Sequence, residues 1–419
     1  GVAAADVLAR REGLDLLLYV GAPGQRERAR ETGDTVRLAG FFAAGGTGRI
    51  DSLVFDGDPA WSADELARRA QTGTEFDDVL LLGDADEVVD LLGGHDLVQA
   101  GAGGDSLVGG SGADALYGES GDDALAGGSE GDLLDGGEGQ DALSGDSGDD
   151  QLVGGAGDDL LVGGAGNDTI DGGAGDDVVR GGLGGGAAGS GAEGLDRITL
   201  GAGQDLLLVG MDDGEVTLDA RDPAARETDV LRFDAGIAPA DVHRSREADD
   251  LVLTLDNGPV LRVTNHFAGS GETASTLERI EFAGDAGTVW TAEQLRVWSL
   301  TATPGPDALS GFDADEAIDG LAGNDAIDGR AGNDTLTGNA GDDRLSGGEG
   351  ADRYVFNPGW GHDTLNNADS TAGRDEIVFG PGVDPASLTV RRSQSDLFIS
   401  GPADSLQVLV LDADGRALF

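Results

Sequence analysis

The chain has 419 residues, with 75 glycines, 19 aromatic residues and no cysteine, and its 80 acidic residues outnumber 26 basic ones for a formal net charge of −54. Such a polyanion excludes nucleic acid and anionic lipid as partners, since both bind through cationic patches, and it favours cations instead. The lack of cysteine removes disulfides and thiolate metal sites, and the longest apolar run, Leu16 to Val20, is far too short to cross a bilayer, so no membrane insertion is expected.

Residues 1–70 read as a small β-rich module. Its strands include Asp15 to Val20, and it ends in a short helix announced by Ser62 as N-cap, Glu65 three residues on and a Trp61–Leu66 staple. From Gly73 to Arg180 the sequence repeats every nine residues, twelve times without an insertion. In the frame of Gly163-Gly164-Ala165-Gly166-Asn167-Asp168-Thr169-Ile170-Asp171, the eighth position is aliphatic in all twelve repeats. The sixth is Asp in eleven and Glu87 in the other. Phe76, Ala85 and Glu130 stand where a fourth-position glycine is expected, which leaves ions at those turns in doubt.

A glycine-rich break with two degenerate repeats, carrying Asp196 and Asp205, fills 181–208; Gly186 replaces the acidic residue there, and the segment reads as flexible. A second β-rich module follows at 209–300, with a strand from Asp250 to Leu255 and a helix start marked by Thr291, Gln294 and a Trp290–Leu295 staple. Nonapeptides return at 302–366 with Asp307, Glu316, Asp325, Asp334, Asp343 and Asp352 at the sixth position, and Asp363 recovers the frame after two extra residues. Residues 367–419 form a third module. The stretches beginning at Gly1, Gly236 and Gly382 align without gaps. The first copy lacks the strand seen as "TDVLRF" and "RDEIVF" before the others, and the third stops before its helix, so the chain reads as a fragment cut at both ends.

The chemistry follows from the pattern. Glycines permit tight turns with positive φ, and the triplet after the acidic residue can form a short strand with its aliphatic side chain inward. Two nonapeptides then complete one coil of a parallel β-roll, an all-β solenoid alternating here with the β-rich modules. Coils about 4.8 Å apart stack the sixth-position carboxylates into ladders. At roughly 5 Å and an effective dielectric near 20, each neighbouring pair repels by about 3 kcal/mol. Residues 73–180 hold 27 acidic residues against Arg180 alone. One aliphatic side chain per nine residues cannot offset that repulsion, so the stack needs external cations, and carboxylate and carbonyl oxygens suit six- to eight-coordinate Ca²⁺ better than Mg²⁺.

"GGAGNDTID", "GGAGDDLLV" and "GRAGNDTLT" resemble the haemolysin-type, repeats-in-toxin calcium-binding nonapeptide, G-G-x-G-x-D-x-U-x. The copies at Gly1, Gly236 and Gly382 resemble a β-rich module that accompanies such repeats in bacterial secreted proteins. The resemblance implies Ca²⁺ held between successive coils by sixth-position Asp and turn carbonyls. It assigns that role to Asp96, Asp105, Asp114, Asp123, Asp132, Asp141, Asp150, Asp159, Asp168 and Asp177 in the first roll and to Asp325, Asp334, Asp343 and Asp352 in the second. It also implies export through the type I secretion machinery, an extracellular or cell-surface location, and folding outside the cell as a monomer.

Other residues carry weaker chemistry. Asp122, Asp149, Asp158 and Asp176, at the variable fifth position, read as solvated charge. His95 and His362 read as turn residues, His243 is Leu8 and Thr389 in its sister copies, and His266 reads as a core or edge residue. Partial matches to glycine-rich phosphate loops lack the lysine such loops use, because every basic residue here is Arg. No catalytic centre is expected. The alternative reading is the secretion or stabilising tail of an extracellular protease, lipase or polysaccharide-modifying enzyme, or of a surface adhesin.

Overall fold

The computed structural model describes residues 7–12, 15–20, 34–38, 52–53, 60–62, 72–183, 195–219, 228–256, 258–268, 277–285, 287–366, 373–393 and 396–409. The chain divides into two compact units, one of Gly1–His243, Leu253–Thr264 and Leu277–Val289, the other of Arg244–Val252, Asn265–Thr276 and Trp290–Phe419.

In the first unit, the nine-residue repeat becomes an eighteen-residue coil with one strand on each of two parallel sheets. Leu97–Ala102, Ala115–Ser120, Leu133–Glu138, Gln151–Ala156 and Thr169–Ala174 stack on one sheet, and the partner of Leu116 is Leu134. Ser106–Ser111, Ala124–Ser129, Ala142–Ser147, Leu160–Ala165 and Val178–Leu183 stack on the other. Each of these strands is six residues, so it takes in the first three positions of the next nonapeptide as well as the expected triplet.

The eighth-position side chains fill the space between the sheets. Leu116, Leu134, Leu152 and Leu161 have no exposed surface, and side chains on a strand alternate faces, so their neighbours point outward. The turns need glycine at two places. Gly137 at the second position (φ +106°) and Gly139 at the fourth (φ +137°) adopt angles that L-residues avoid, and Glu130 holds the fourth-position geometry at φ +78°.

The stack runs on past the glycine-rich segment. Residues 184–194, which include Gly186 of the expected break, lie outside the described residues. On either side the register resumes, Ile170 pairing with Ile198 at a separation ten residues longer than in the regular coils. Four strands of the 209–300 segment extend the same two sheets, Glu215–Asp219 and Val260–Val263 on one, Val230–Phe233 and Arg279–Phe282 on the other. At the other end an antiparallel meander, Val7–Glu12, Asp15–Val20 and Asp34–Leu38, joins the sheet through a parallel pairing of Glu12 with Leu81.

The second unit repeats the plan with three-residue strands, Ala308–Ser310, Ala326–Asp328 and Arg344–Ser346 on one sheet and Ala317–Asp319 and Thr335–Thr337 on the other. Its parallel sheet passes from His362–Asn366 to Ser405–Leu409 and then turns antiparallel through Asp396–Ser400 and Thr389–Ser393. The core ends in Phe356, Trp360 and Tyr354, each nearly inaccessible. Helix Ala292–Ser299 starts as expected: Thr291 Oγ1 accepts from the Gln294 N–H (3.2 Å) while Gln294 Oε1 accepts from the Thr291 N–H (2.9 Å), and Leu295 is buried. The helix expected after Ser62 lies outside the described residues.

Candidate metal centre

In the first unit the six-residue strand before each turn ends at the third-position residue, and the turn brings the sixth-position carboxylate back against the coil edge. Because one coil has two turns, the carboxylates form two columns. Asp96, Asp114, Asp132, Asp150 and Asp168 lie on one edge and Asp105, Asp123, Asp141, Asp159 and Asp177 on the other. All are buried, with at most 4% of their surface exposed. Each holds the next coil in register. Asp141 Oδ1 accepts the backbone N–H of Asp123 at 2.8 Å, Asp150 Oδ1 that of Asp132 at 2.8 Å, and so on up each edge.

The second oxygen decides what the column can do. Among the described residues, Oδ2 of Asp105, Asp114, Asp123, Asp132, Asp141, Asp150, Asp159, Asp168 and Asp177 accepts no hydrogen bond although it is buried, and the same is true of Asp325, Asp334 and Asp343. A buried carboxylate oxygen without a partner costs several kcal/mol on the order-of-magnitude scale for desolvated charge. Apart from Asp105, whose repeat opens with Ala100, each of these oxygens points to the first-position glycine of its own repeat. A Cβ on Gly136 would lie 2.3 Å from Asp141 Oδ2 and 2.7 Å from the Gly154 carbonyl oxygen of the next coil; on Gly145 it would lie 2.3 Å from Asp150 Oδ2 and 2.4 Å from the Gly163 oxygen. A missing side chain thus leaves a cradle in which a carboxylate oxygen and a carbonyl oxygen converge. In the second unit Gly329 stands in the same relation to Asp334 Oδ2 and the Gly347 oxygen.

The opening turns differ. The Thr74 N–H donates to Asp78 Oδ2 (2.7 Å), the Thr303 N–H to Asp307 Oδ2 (2.7 Å) and the Phe312 N–H to Glu316 Oε2 (2.9 Å). There the outer oxygen is closed off by its own turn.

The electrostatics follow from burial. Burial raises the carboxyl pKa of Asp105, Asp132, Asp141 and Asp168 to about 6 and of Asp150, Asp177 and Asp334 to about 7. The hydrogen bond from the preceding coil opposes that rise, and neighbouring carboxylates of the column add to it. Asp114, Asp123, Asp159, Asp325 and Asp343 shift in the same direction for the same leading reason. Among the described residues no three His, Asp or Glu side chains converge, so a cation in a cradle would be held by carboxylate and carbonyl oxygens together. That donor set is hard and oxygen-only, which fits Ca²⁺.

The columns are longer than the nonapeptide frame shows. Asp196 Oδ1 accepts the Asp168 N–H (3.1 Å), Asp205 Oδ1 the Asp177 N–H (2.8 Å) and Asp229 Oδ1 the Asp205 N–H (3.1 Å). In the second unit Asp363 and Asp375 accept from Asp343 and Asp352, each at 2.9 Å. Burial and the neighbouring Asp343 lift Asp363 to about 8. Asp229 and Asp375 were not among the residues expected from the sequence, yet each stands two residues before an inward aliphatic, Leu231 or Ile377, the same spacing as in the nonapeptide.

Fifth-position side chains make a separate, exposed column. Asp122 accepts the Gln140 N–H, Asp149 that of Asn167, Asp158 that of Asp176 and Asp176 that of Gln204, at 2.9–3.0 Å. His95 Nδ1 accepts from the Ala113 N–H (2.8 Å), His362 Nδ1 meets Ser405 Oγ (2.7 Å), and His243 pairs with Asp256 (2.7 Å), all at the surface. His266 is buried edge-on to Phe267 with neither ring nitrogen hydrogen-bonded, and burial next to Arg246 lowers its pKa to about 4.

A scan against protein families matches the RTX calcium-binding nonapeptide repeat over residues 91–186 and 299–354, and the haemolysin-type calcium binding protein related domain over 250–294. Among solved structures, the AlgE6R3 subunit of the Azotobacter vinelandii mannuronan C5-epimerase is 28% identical, with a TM-score of 0.20, over 27% of this chain and 77% of that one. Extracellular lipase LipA from Serratia marcescens is 19% identical, with a TM-score of 0.16; the alignment covers 62% of this chain and 39% of the lipase. A search of curated proteins found no match.

Proposed function

We propose that this chain, which carries RTX calcium-binding nonapeptide repeats in two solenoid blocks, uses Ca²⁺ as the counter-charge that lets its acidic ladders fold, so that it serves outside the cell as a rigid calcium-loaded spacer. The observation that carries the reading is the repeated cradle, in which a buried Oδ2 with no hydrogen-bond donor meets a carbonyl oxygen where a first-position glycine leaves room. Bound calcium would supply the positive charge that cancels the repulsion within a column. The protein's part is to hold the oxygens in place: in the folded coil Oδ1 is tied to the preceding coil, so Oδ2 is left facing the cradle, and the glycine excludes a competing side chain.

Export follows from the same physics. With calcium scarce, the columns repel and the glycine-rich chain has little core to hold it, so it stays extended and able to thread a type I secretion channel. At the 10⁻⁴–10⁻³ M affinity of extracellular calcium modules, ions binding only the folded state drive folding by mass action. The reading gives these residues a binding and structural role as a monomer, without a catalytic centre of their own. Among the described residues no helix is long and apolar enough to cross a membrane.

The test is far-UV circular dichroism of the chain titrated from chelator to 10 mM Ca²⁺, with Mg²⁺ in parallel. A cooperative coil-to-β transition with Ca²⁺ alone is expected. A spectrum equally β-rich in chelator would overturn the reading.

A further inference from the structure

Residues 73–179 of the first roll contain no basic residue, so no fixed positive charge from that stretch offsets its ladder. In the second unit Arg246, from the part of strand Val242–Glu247 that begins at Arg244, and the segment around Phe267 face the opening coil of the second roll. We propose that Arg246 is a built-in cation of the second roll: its guanidinium takes the place that an ion would occupy if one more coil preceded Gly311. The inference rests on the calcium reading above and extends it to the end of the ladder.

The argument is geometric. In interior turns the first-position carbonyl points back to the preceding coil and enters that coil's cradle, as the Gly329 oxygen does beneath Gly311 and the Gly347 oxygen beneath Gly329. Gly311 is itself a first-position residue, and the segment one coil-length before it is helix Ala292–Ser299, which brings no acidic turn. Its carbonyl oxygen accepts instead from Arg246 Nη2 (3.2 Å), and the carbonyl of Ser310 accepts from Arg246 Nη1.

The guanidinium is clamped there. It lies 4.9 Å from the ring centres of both Phe267 and Phe312, and its Nε donates to the Ala248 carbonyl (2.8 Å). Asp249 supplies a nearby carboxylate at 3.7 Å and in turn pairs with Arg330, whose Nε donates to Ser310 Oγ (2.8 Å). Glu316, the opening acidic residue of that edge, has one oxygen on the Phe312 N–H and the other 3.7 Å from Arg296. Burial and Arg330 lower the Arg246 pKa only to about 10, so the side chain is charged at neutral pH.

The internal repeat points the same way. In the gapless alignment of the copies, Arg246 falls on Arg11, the residue before Glu12. Glu12 pairs with Leu81, and Leu81 and Ser310 are both ninth-position residues of a roll's opening repeat. A cap of fixed charge would give the second ladder one end whose carbonyls are satisfied before calcium arrives, from which successive coils can add.

The test is hydrogen exchange of the full chain, followed by mass spectrometry as Ca²⁺ is raised from chelator, comparing wild type with Arg246→Met, which keeps the stem, and Arg246→Lys, which keeps the charge. Peptides from 302–328 of Arg246→Met should become protected at roughly threefold higher calcium, the shift expected when lost charge-assisted hydrogen bonds are shared over about four cooperative ions. Peptides from 97–180 should keep the wild-type midpoint, Arg246→Lys should fall between, and saturating calcium should restore full protection of Arg246→Met. An unchanged 302–328 midpoint would overturn the proposal. So would a loss of protection that saturating calcium cannot restore, since that is the signature of packing between the two phenylalanines alone. Wild-type protection indifferent to calcium in both rolls would instead remove the calcium reading on which the proposal stands.

Discussion

The cradle can be tested by filling it. Gly136 stands at a first position with no positive φ, so alanine is allowed there by the backbone, but its Cβ would lie 2.3 Å from Asp141 Oδ2 and 2.7 Å from the Gly154 oxygen. Both oxygens would have to leave the space in which they converge. The gain of about 0.4–1 kcal/mol that alanine brings by restricting the unfolded chain is opposed by the clash with the Gly154 backbone oxygen, a cost that does not depend on calcium. In 10 mM calcium Gly136→Ala should forfeit one site. With a dissociation constant of 10⁻⁴–10⁻³ M, that site contributes about 1.4–2.7 kcal/mol to the folded state. Gly137→Ala makes the control. Its φ of +106° and a Cβ 2.1 Å from the Glu119 oxygen put strain on the backbone itself, on the order of 1–3 kcal/mol with or without calcium. The assay is urea unfolding of each variant at about 1 and about 10 mM calcium, where the chain is folded, with bound ions counted by equilibrium dialysis. If Gly136→Ala keeps the wild-type ion count and the wild-type calcium increment in stability, the first-position glycine is not part of an ion site.

Three further outcomes follow from the same geometry. Among the ladder carboxyls Asp141 is raised in the folded state to about 6, Asp150 to about 7 and Asp363 to about 8, so the calcium-free roll binds more protons than the unfolded chain. Its stability is greatest below the unfolded carboxyl pKa near 4 and is lost as pH rises through 6–8. Protons and calcium neutralise the same carboxyls, and the fold gains from protons at low pH, so the calcium midpoint read by circular dichroism should rise between about pH 5.5 and 7.5; a midpoint that falls over that range would contradict the burial of these groups. Asp150→Asn leaves an oxygen to accept the Asp132 N–H but removes the charge, so it should raise the calcium midpoint; a midpoint equal to or below that of wild type would mean that the Asp150 charge is not part of an ion site. Leu152→Ala empties a fully buried inward position and should cost about 2–5 kcal/mol in calcium by urea unfolding, with the ion count unchanged at saturation.

The nonapeptide period determined by itself the coil, the inward aliphatic column, the acidic ladders and the ligand chemistry, because each of these depends only on residues at fixed offsets within adjacent repeats. Leu134 lies over Leu116 for the same reason that both occupy the eighth position. Three things were decided by the tertiary structure. Asp229 and Asp375 join the ladders from segments outside the nonapeptide frame, and strands such as Val260–Val263 extend the first roll's sheets, because an open parallel edge pairs with any strand that reaches it, whatever its period. The sorting of carboxylates into closed opening turns and cradles with an available oxygen depends on which backbone N–H each oxygen meets, and Asp78 and Asp141 look alike in sequence while Thr74 answers only the first. Arg246 meets the carbonyls of Ser310 and Gly311 across more than sixty residues; no local pattern encodes a contact at that separation, because it is set by how the intervening strands and helix fold back onto the first coil.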